Sequence, residues 1–152
     1  MQNKIDSLRV RMKDNNVDLV VLGPGTHMNW LLGFNPYPDE RPCMLLIGKE
    51  KEAFLMPSVN AEDARKRSDI AINSWKDENG PDQALKEALL YIGESTAKHI
   101  AIDEAMRSHF ALIVIEALPS PTYEFTGSTI GALRMRKDQT EFINLKENAL
   151  ID

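Results

Sequence analysis

Over the first sixteen residues, the apolar positions Ile5, Leu8 and Met12 recur at spacings of three and four, while Asp6, Arg9, Arg11 and Lys13 fall mostly on other faces. That period predicts an amphipathic surface helix ending near Asn15 and Asn16. The pattern then changes to the largely apolar run Val17–Leu22, broken only by Asp18 and closed by Gly23, Pro24 and Gly25, which predicts a buried strand feeding a turn. A short helix is expected through Trp30–Leu32. Pro42–Ile47 and Ala53–Met56 are apolar runs joined by the polar, glycine-bearing segment 48–52, the pattern of an antiparallel hairpin. Farther along, the pattern predicts a helix over Val59–Arg67, a strand over Ile70–Trp75, and a helix opened by Pro81 and Asp82 and running to Tyr91. A strand over His99–Ile102, a helix over His109–Leu118 stopped by Pro119, and a last strand over Thr122–Phe125 complete the series.

Strands alternating with helices around one hairpin predict an α/β sandwich with a mixed sheet, because the hairpin supplies antiparallel pairs and the crossovers parallel ones. Near the C-terminus, Asp138 is a predicted N-cap with Glu141 three residues on, and Phe142, Leu145, Ala149 and Leu150 mark an apolar helical face. That face needs a partner, and no helix stop follows it, so the natural protein is expected to continue beyond Asp152.

Composition narrows the function. The chain has 152 residues, 43% hydrophobic and 27% charged, the size and balance of one globular domain. Lys4, Asp6 and Arg9 stand where a signal peptide would be apolar, and no stretch approaches the roughly 20 apolar residues that a membrane span needs, so a cytoplasmic location without a membrane partner is expected. A formal charge of −5 gives no net attraction to phosphate backbones, and no nucleic-acid partner is expected. Cys43, the one cysteine, lies in the apolar run beside Met44 and reads as an inert core thiol.

Candidate chemistry is sparse. Gly23-Pro24-Gly25 lacks the third glycine of a dinucleotide-binding turn, since Met28 stands in its place. His99, His109, Asp103 and Glu104 show no metal-ligand spacing, and Ser58, Ser74, Ser95 and Ser128 lack a nucleophile elbow, so no catalytic and no metal-binding residue is assigned in this chain. The overspecified segment is Trp30–Arg41, with two prolines, several aromatics and a charged triplet. An arginine on a proline-stiffened loop loses little entropy on engaging a carboxylate, and its planar fork meets two oxygens at once. Arg41 is therefore the leading candidate, with Glu40, Asp39, Tyr37, Phe34 and Trp30 as its neighbours.

The run Asn29-Trp30-Leu31-Leu32-Gly33-Phe34, then Glu40-Arg41-Pro42 and Met44–Ile47, resembles the N-terminal domain of the creatinase, prolidase and aminopeptidase P family. Asp18–Val21, His99–Ile102 followed by Asp103-Glu104, and the stretch from Leu133 to Glu141 agree in order. Leu32 stands where threonine is common, and Asp39 where several bacterial prolidases have histidine. The resemblance implies a three-layer, ribonuclease H-like α/β sandwich over residues 1–135, with 136–152 as linker and start of a catalytic domain. It also implies a parent that is a metal-dependent Xaa-Pro peptidase, a homodimer whose two divalent metals (manganese, cobalt or zinc) sit in a C-terminal catalytic half outside this chain. There the present domain would be non-catalytic, pairing with its own catalytic domain and capping substrate in trans through Arg41 and its neighbours. Two alternatives stay open: the same domain in a creatinase-like hydrolase or lyase that is not a peptidase, and an independent α/β binding module.

Overall fold

The computed structural model describes residues 1–136 and 139–149. The opening helix α1 spans Gln2–Asp14 and buries Ile5, Leu8 and Met12. It closes where predicted: Asn16 takes a left-handed φ of 54°, and the Val17 amide donates back to the Met12 carbonyl at 2.9 Å. Strand β1 therefore begins two residues later than the apolar run suggests and spans Leu19–Leu22. Val17 is spent on the helix end, and the Asp18 carboxylate accepts the amides of Lys98 and His99 at 2.8 and 3.1 Å.

Helix α2 (Thr26–Leu32) ends at Gly33, whose φ of 80° favours glycine. The hairpin follows as β2 (Met44–Ile47) and β3 (Glu52–Pro57). Then come α3 (Ser58–Arg67), β4 (Ala71–Trp75), α4 (Asp82–Ile92), β5 (His99–Ile102), α5 (Ser108–Ala117) and β6 (Thr122–Phe125). A 3₁₀ turn over Thr126–Ser128 leads into α6 (Ile130–Met135), and α7 covers Gln139–Ala149. The 3₁₀ turn and α6 carry no sequence signal: they are short, contain Gly127 and Gly131, and α6 buries only Ile130. The predicted cap Asp138 and the apolar Leu150 lie outside the described residues.

The six strands form one mixed sheet in the order β4-β3-β2-β1-β5-β6. The pairs β1–β2 and β2–β3 are antiparallel, and β1–β5, β3–β4 and β5–β6 are parallel. Val20, Leu22, Leu45, Ile47, Phe54 and Met56 face one core with α1, α2, α3 and Ile130 of α6. Leu19, Val21, Met44, Leu46, Ala53 and Leu55 face the other, under α4 and α5. The expected three-layer α/β sandwich is thus present, and central strands buried on both faces explain why the sequence shows continuous apolar runs.

The hairpin is clamped at its turn. Arg9 donates to the Gly48 carbonyl at 3.1 Å and pairs with Glu52, while Lys49 reaches Asp18 at 2.6 Å. Glu94, 6% exposed, accepts the Lys49 amide at 3.1 Å; burial pushes its carboxyl above the ordinary range. The clamp leaves no room at Gly48, where a Cβ would lie 2.8 Å from the Glu94 Cγ and 3.2 Å from the Ile92 carbonyl oxygen. Gly48→Ala should cost about 1–3 kcal/mol through overpacking, read from the urea midpoint of the purified chain.

Candidate functional site

The carboxyl ends of β1, β5 and β6 gather the polar chemistry of the domain. The turn after β1 carries Gly23, Pro24 and, at the start of α2, His27; the turn after β5 carries Asp103, Glu104 and Arg107; Thr126 follows β6. Gly23 is required by close approach, since a Cβ there would meet Met106 Cγ at 2.8 Å.

The His27 side chain is 8% exposed and held on both nitrogens. A guanidinium can only donate, so Arg134 Nη1, 3.1 Å from Nδ1, makes that nitrogen the acceptor and leaves the proton on Nε2. Nε2–H then donates toward Glu104 Oε1 at 3.2 Å and Thr126 Oγ1 at 3.1 Å, and the Thr126 hydroxyl donates to Glu104 Oε2 at 2.6 Å. Arg134 also reaches Thr26 Oγ1 at 3.1 Å. The network ties α2, the β5 turn, the 3₁₀ turn and α6 into one ordered set of donors and acceptors. Burial alone would raise the Glu104 carboxyl, but the Thr126 and His27 hydrogen bonds prevail and lower it to about 2. Asp103, buried, moves the other way, although the Ala105 amide donates to it at 2.9 Å.

One donor atom each from His27, Asp103 and Glu104 lies within 4.8 Å of the others, close enough for a shared cation. The Arg134 guanidinium against the imidazole opposes a cation there, and both ring nitrogens are already engaged. The arrangement suits a hydrogen-bond network and does not fit a two-metal centre.

The second feature is the loop between α2 and β2. Asn35 Oδ1 accepts the Gly25 amide at 3.1 Å, Asp39 accepts the Arg41 amide at 2.8 Å, His109 Nε2 donates to the Glu40 carbonyl at 3.1 Å, and Trp75 Nε1 donates to the Pro42 carbonyl at 3.0 Å. The tip, Tyr37, is 76% exposed. The Arg41 side chain, 34% exposed, pairs loosely with Asp77 at 3.6 Å. Phe34 is a core residue, 6.3 Å from the Phe54 ring. Trp30, partly buried against that core, takes Lys4 over its ring at 4.3 Å and accepts from Lys4 at its carbonyl. Of the six candidates, the structure therefore holds Tyr37, Asp39, Glu40 and Arg41 on the loop's outer reach. Phe34 is placed beneath it, and Trp30 packs beside α1. Cys43, at the loop's end, is buried; burial and then the Asp39 charge push its thiol up to about 12, which keeps it a protonated, inert group.

Of the network, Glu104 was visible in sequence as an acidic residue after a strand, and Arg134 as part of the junction stretch. His27 and Thr126 gave no signal, because their partners lie 77 and 22 residues away at Glu104. A larger cavity, about 640 Å³, lies at the opposite end of β1 beside Asn16 and Asp18; of its three cations Arg9, Lys13 and Lys49, the first and last are already held by Glu52 and Asp18.

The profile of the creatinase/prolidase N-terminal domain family matches residues 4–136. A dipeptidase from Pyrococcus horikoshii superposes with a TM-score of 0.78 at 24% identity, over 90% of this chain and 38% of that one. The creatinase/prolidase N-terminal domain of an X-Pro dipeptidase from Streptococcus pyogenes gives 0.77 at 16% identity, over 90% of this chain and 100% of that domain. A prolidase from Thermococcus sibiricus gives 0.77 at 18% identity, over 93% and 38%. The chain thus spans 38% of the length of the Pyrococcus and Thermococcus proteins. These likenesses share the mixed-sheet fold. No curated protein sequence matches the chain. No helix among the described residues is long and apolar enough to cross a membrane.

The depressed Glu104 carboxyl fixes the sign of a pH effect. Between its ordinary value of 4.5 and about 2, the folded chain binds fewer protons at this site than the unfolded chain. Its contribution to stability is complete above 4.5 and is lost as pH falls toward 2. Glu104→Gln should flatten the acid limb of urea stability against pH across that window; an acid limb identical to that of wild type would refute this assignment.

Proposed function

Because the chain belongs to the creatinase/prolidase N-terminal domain family, we propose that it is the non-catalytic N-terminal domain of a metal-dependent Xaa-Pro dipeptidase or aminopeptidase. In this reading it pairs with its own C-terminal catalytic domain, contributes to a homodimer, and lends the loop between α2 and β2 as a cap over substrate in the partner subunit's site.

The observation that carries the reading is the way this loop is built. Four hydrogen bonds involving Asn35, the Arg41 amide, and the carbonyls of Glu40 and Pro42 fix it, yet Tyr37 remains turned outward and the half-buried Arg41 guanidinium is only loosely paired, with Asp77 at 3.6 Å. A surface connection needs no such bracing. A loop that must meet a substrate gains from it, because little conformational entropy is left to lose on binding. The donor set of His27, Asp103 and Glu104 does not fit two metals, so metal-supported hydrolysis is assigned to the catalytic domain, whose bound ions would activate water.

Two outcomes are expected. The purified 152-residue chain should release no product from Xaa-Pro dipeptides with added manganese, cobalt or zinc; metal-stimulated cleavage co-purifying with it would overturn the non-catalytic assignment. In the full-length dimer, Arg41→Ala should lower kcat/KM by an amount equivalent to roughly 2–4 kcal/mol if Arg41 meets a substrate carboxylate in a desolvated site. A surface ion pair to Asp77 alone predicts less than about 1 kcal/mol. Arg41→Lys should recover part of the loss, since an ammonium keeps the charge without the two-point fork. Wild-type kinetics from a folded, dimeric Arg41→Ala protein would reject the cap.

A further inference from the structure

The chain leaves β1 toward α2 on one face of the sheet and leaves the adjacent parallel strand β5 toward α5 on the other. Neighbouring strands whose connections depart to opposite faces open a crevice at their carboxyl ends, the place where open α/β sheets receive ligands. Here that crevice has a volume of about 140 Å³, with Pro24, Pro38, Asp39, Arg41, Met106 and Arg107 among its walls.

Two guanidinium groups border it, one from the loop before β2 and one from the turn before α5. Arg41 is only loosely committed, its Nε lying 3.6 Å from an Asp77 that is itself 70% exposed. Arg107 is exposed; its backbone carbonyl accepts the Phe110 amide at 3.0 Å, but its guanidinium makes no hydrogen bond or ion pair with any described residue. Asp39 spends one carboxylate oxygen on the Arg41 amide and subtracts one charge from the pair. The lining carries two cations and one anion between apolar walls of Pro24, Pro38 and Met106, and the exposed Asp77 beside Arg41 brings a second anion within 3.6 Å of it. His109, two residues beyond Arg107, bonds to the Glu40 carbonyl at 3.1 Å and so fixes the distance between the two arginine-bearing segments.

We propose that this crevice is a binding site for a small monoanionic carboxylate with an apolar body, and that Arg107 is its second arginine alongside Arg41. A guanidinium fork on each side suits a carboxylate's two oxygens, and with Asp39 and Asp77 close by, the site has too little positive charge to favour a phosphate dianion over a monoanion. The identification of the carboxylate as that of a proline-containing peptide rests on the Xaa-Pro reading above; the site itself does not.

The test is a titration of the 152-residue chain with N-acetylproline, N-acetylprolinamide and inorganic phosphate, following the arginine Nε–H resonances by nitrogen-15 NMR. N-acetylproline should shift the Arg41 and Arg107 signals saturably, whereas the amide, which lacks the carboxylate, should leave them in place. Arg107→Gln should weaken N-acetylproline binding by roughly tenfold or more, as expected for loss of a charged hydrogen bond, with the amide spectrum of the fold retained. An unmoved Arg107 signal, equal shifts from the amide, tighter binding of phosphate, or wild-type affinity in Arg107→Gln would each overturn the proposal. The cap reading fails separately: wild-type kinetics for Arg41→Ala in the full-length dimer reject the cap while leaving the crevice to be judged by the titration.

Discussion

Leu19, Val20, Val21 and Leu22 are fully buried, and β1 lies between an antiparallel and a parallel neighbour with helices over both faces. None of these four positions could hold a polar side chain without leaving it unpaired in a core. Polar chemistry is thereby displaced to the strand ends. At the carboxyl end, the turns after β1, β5 and β6 meet, and because β2 runs antiparallel to β1, the loop that precedes β2 arrives at the same end. The His27 network, the braced loop and the arginine-lined crevice are neighbours for that single topological reason.

The two polar clusters are built on opposite logic. Around His27 both ring nitrogens and the Thr126 hydroxyl are engaged, and the guanidinium of Arg134 dictates which ring nitrogen carries the proton. Such a closed set fixes the position of α6 against α2 and leaves little capacity for a ligand. Along the loop, bracing falls largely on the backbone, through the carbonyls of Glu40 and Pro42 and the amides of Gly25 and Arg41. The Tyr37 side chain is left to face outward, and that of Arg41 lies at the crevice wall.

The sheet was legible in sequence because its strands are short, apolar and separated by clear punctuation: all six predicted runs appear as strands, with β1 and β2 each starting two residues late. At β1 the delay has a local cause, since Val17 closes α1 and Asp18 caps the neighbouring strand's amides. Helix α6 was not legible, because a six-residue helix with a glycine and one buried side chain has no periodicity to detect. The loop stood out through its prolines and aromatics, and Arg41 could be named from it. Phe34 and Trp30 belonged to the same conspicuous stretch, but sequence cannot tell an aromatic that faces out from one that faces the core. Arg107 and His109 were invisible as partners of the loop, since the Glu40–His109 bond closes over 69 residues.

The bracing of the loop also bears on how such a domain diversifies. Its hydrogen-bonded anchors fall at Asn35 and from Asp39 to Pro42, so the exposed residue Tyr37 lies between fixed points and bears no part of the fold. Evolution can therefore rewrite that tip, in shape or in chemistry, without a toll on folding. On the capping reading proposed above, that tip would be the place where a lineage changes which substrates are admitted without altering the residues that hold the loop.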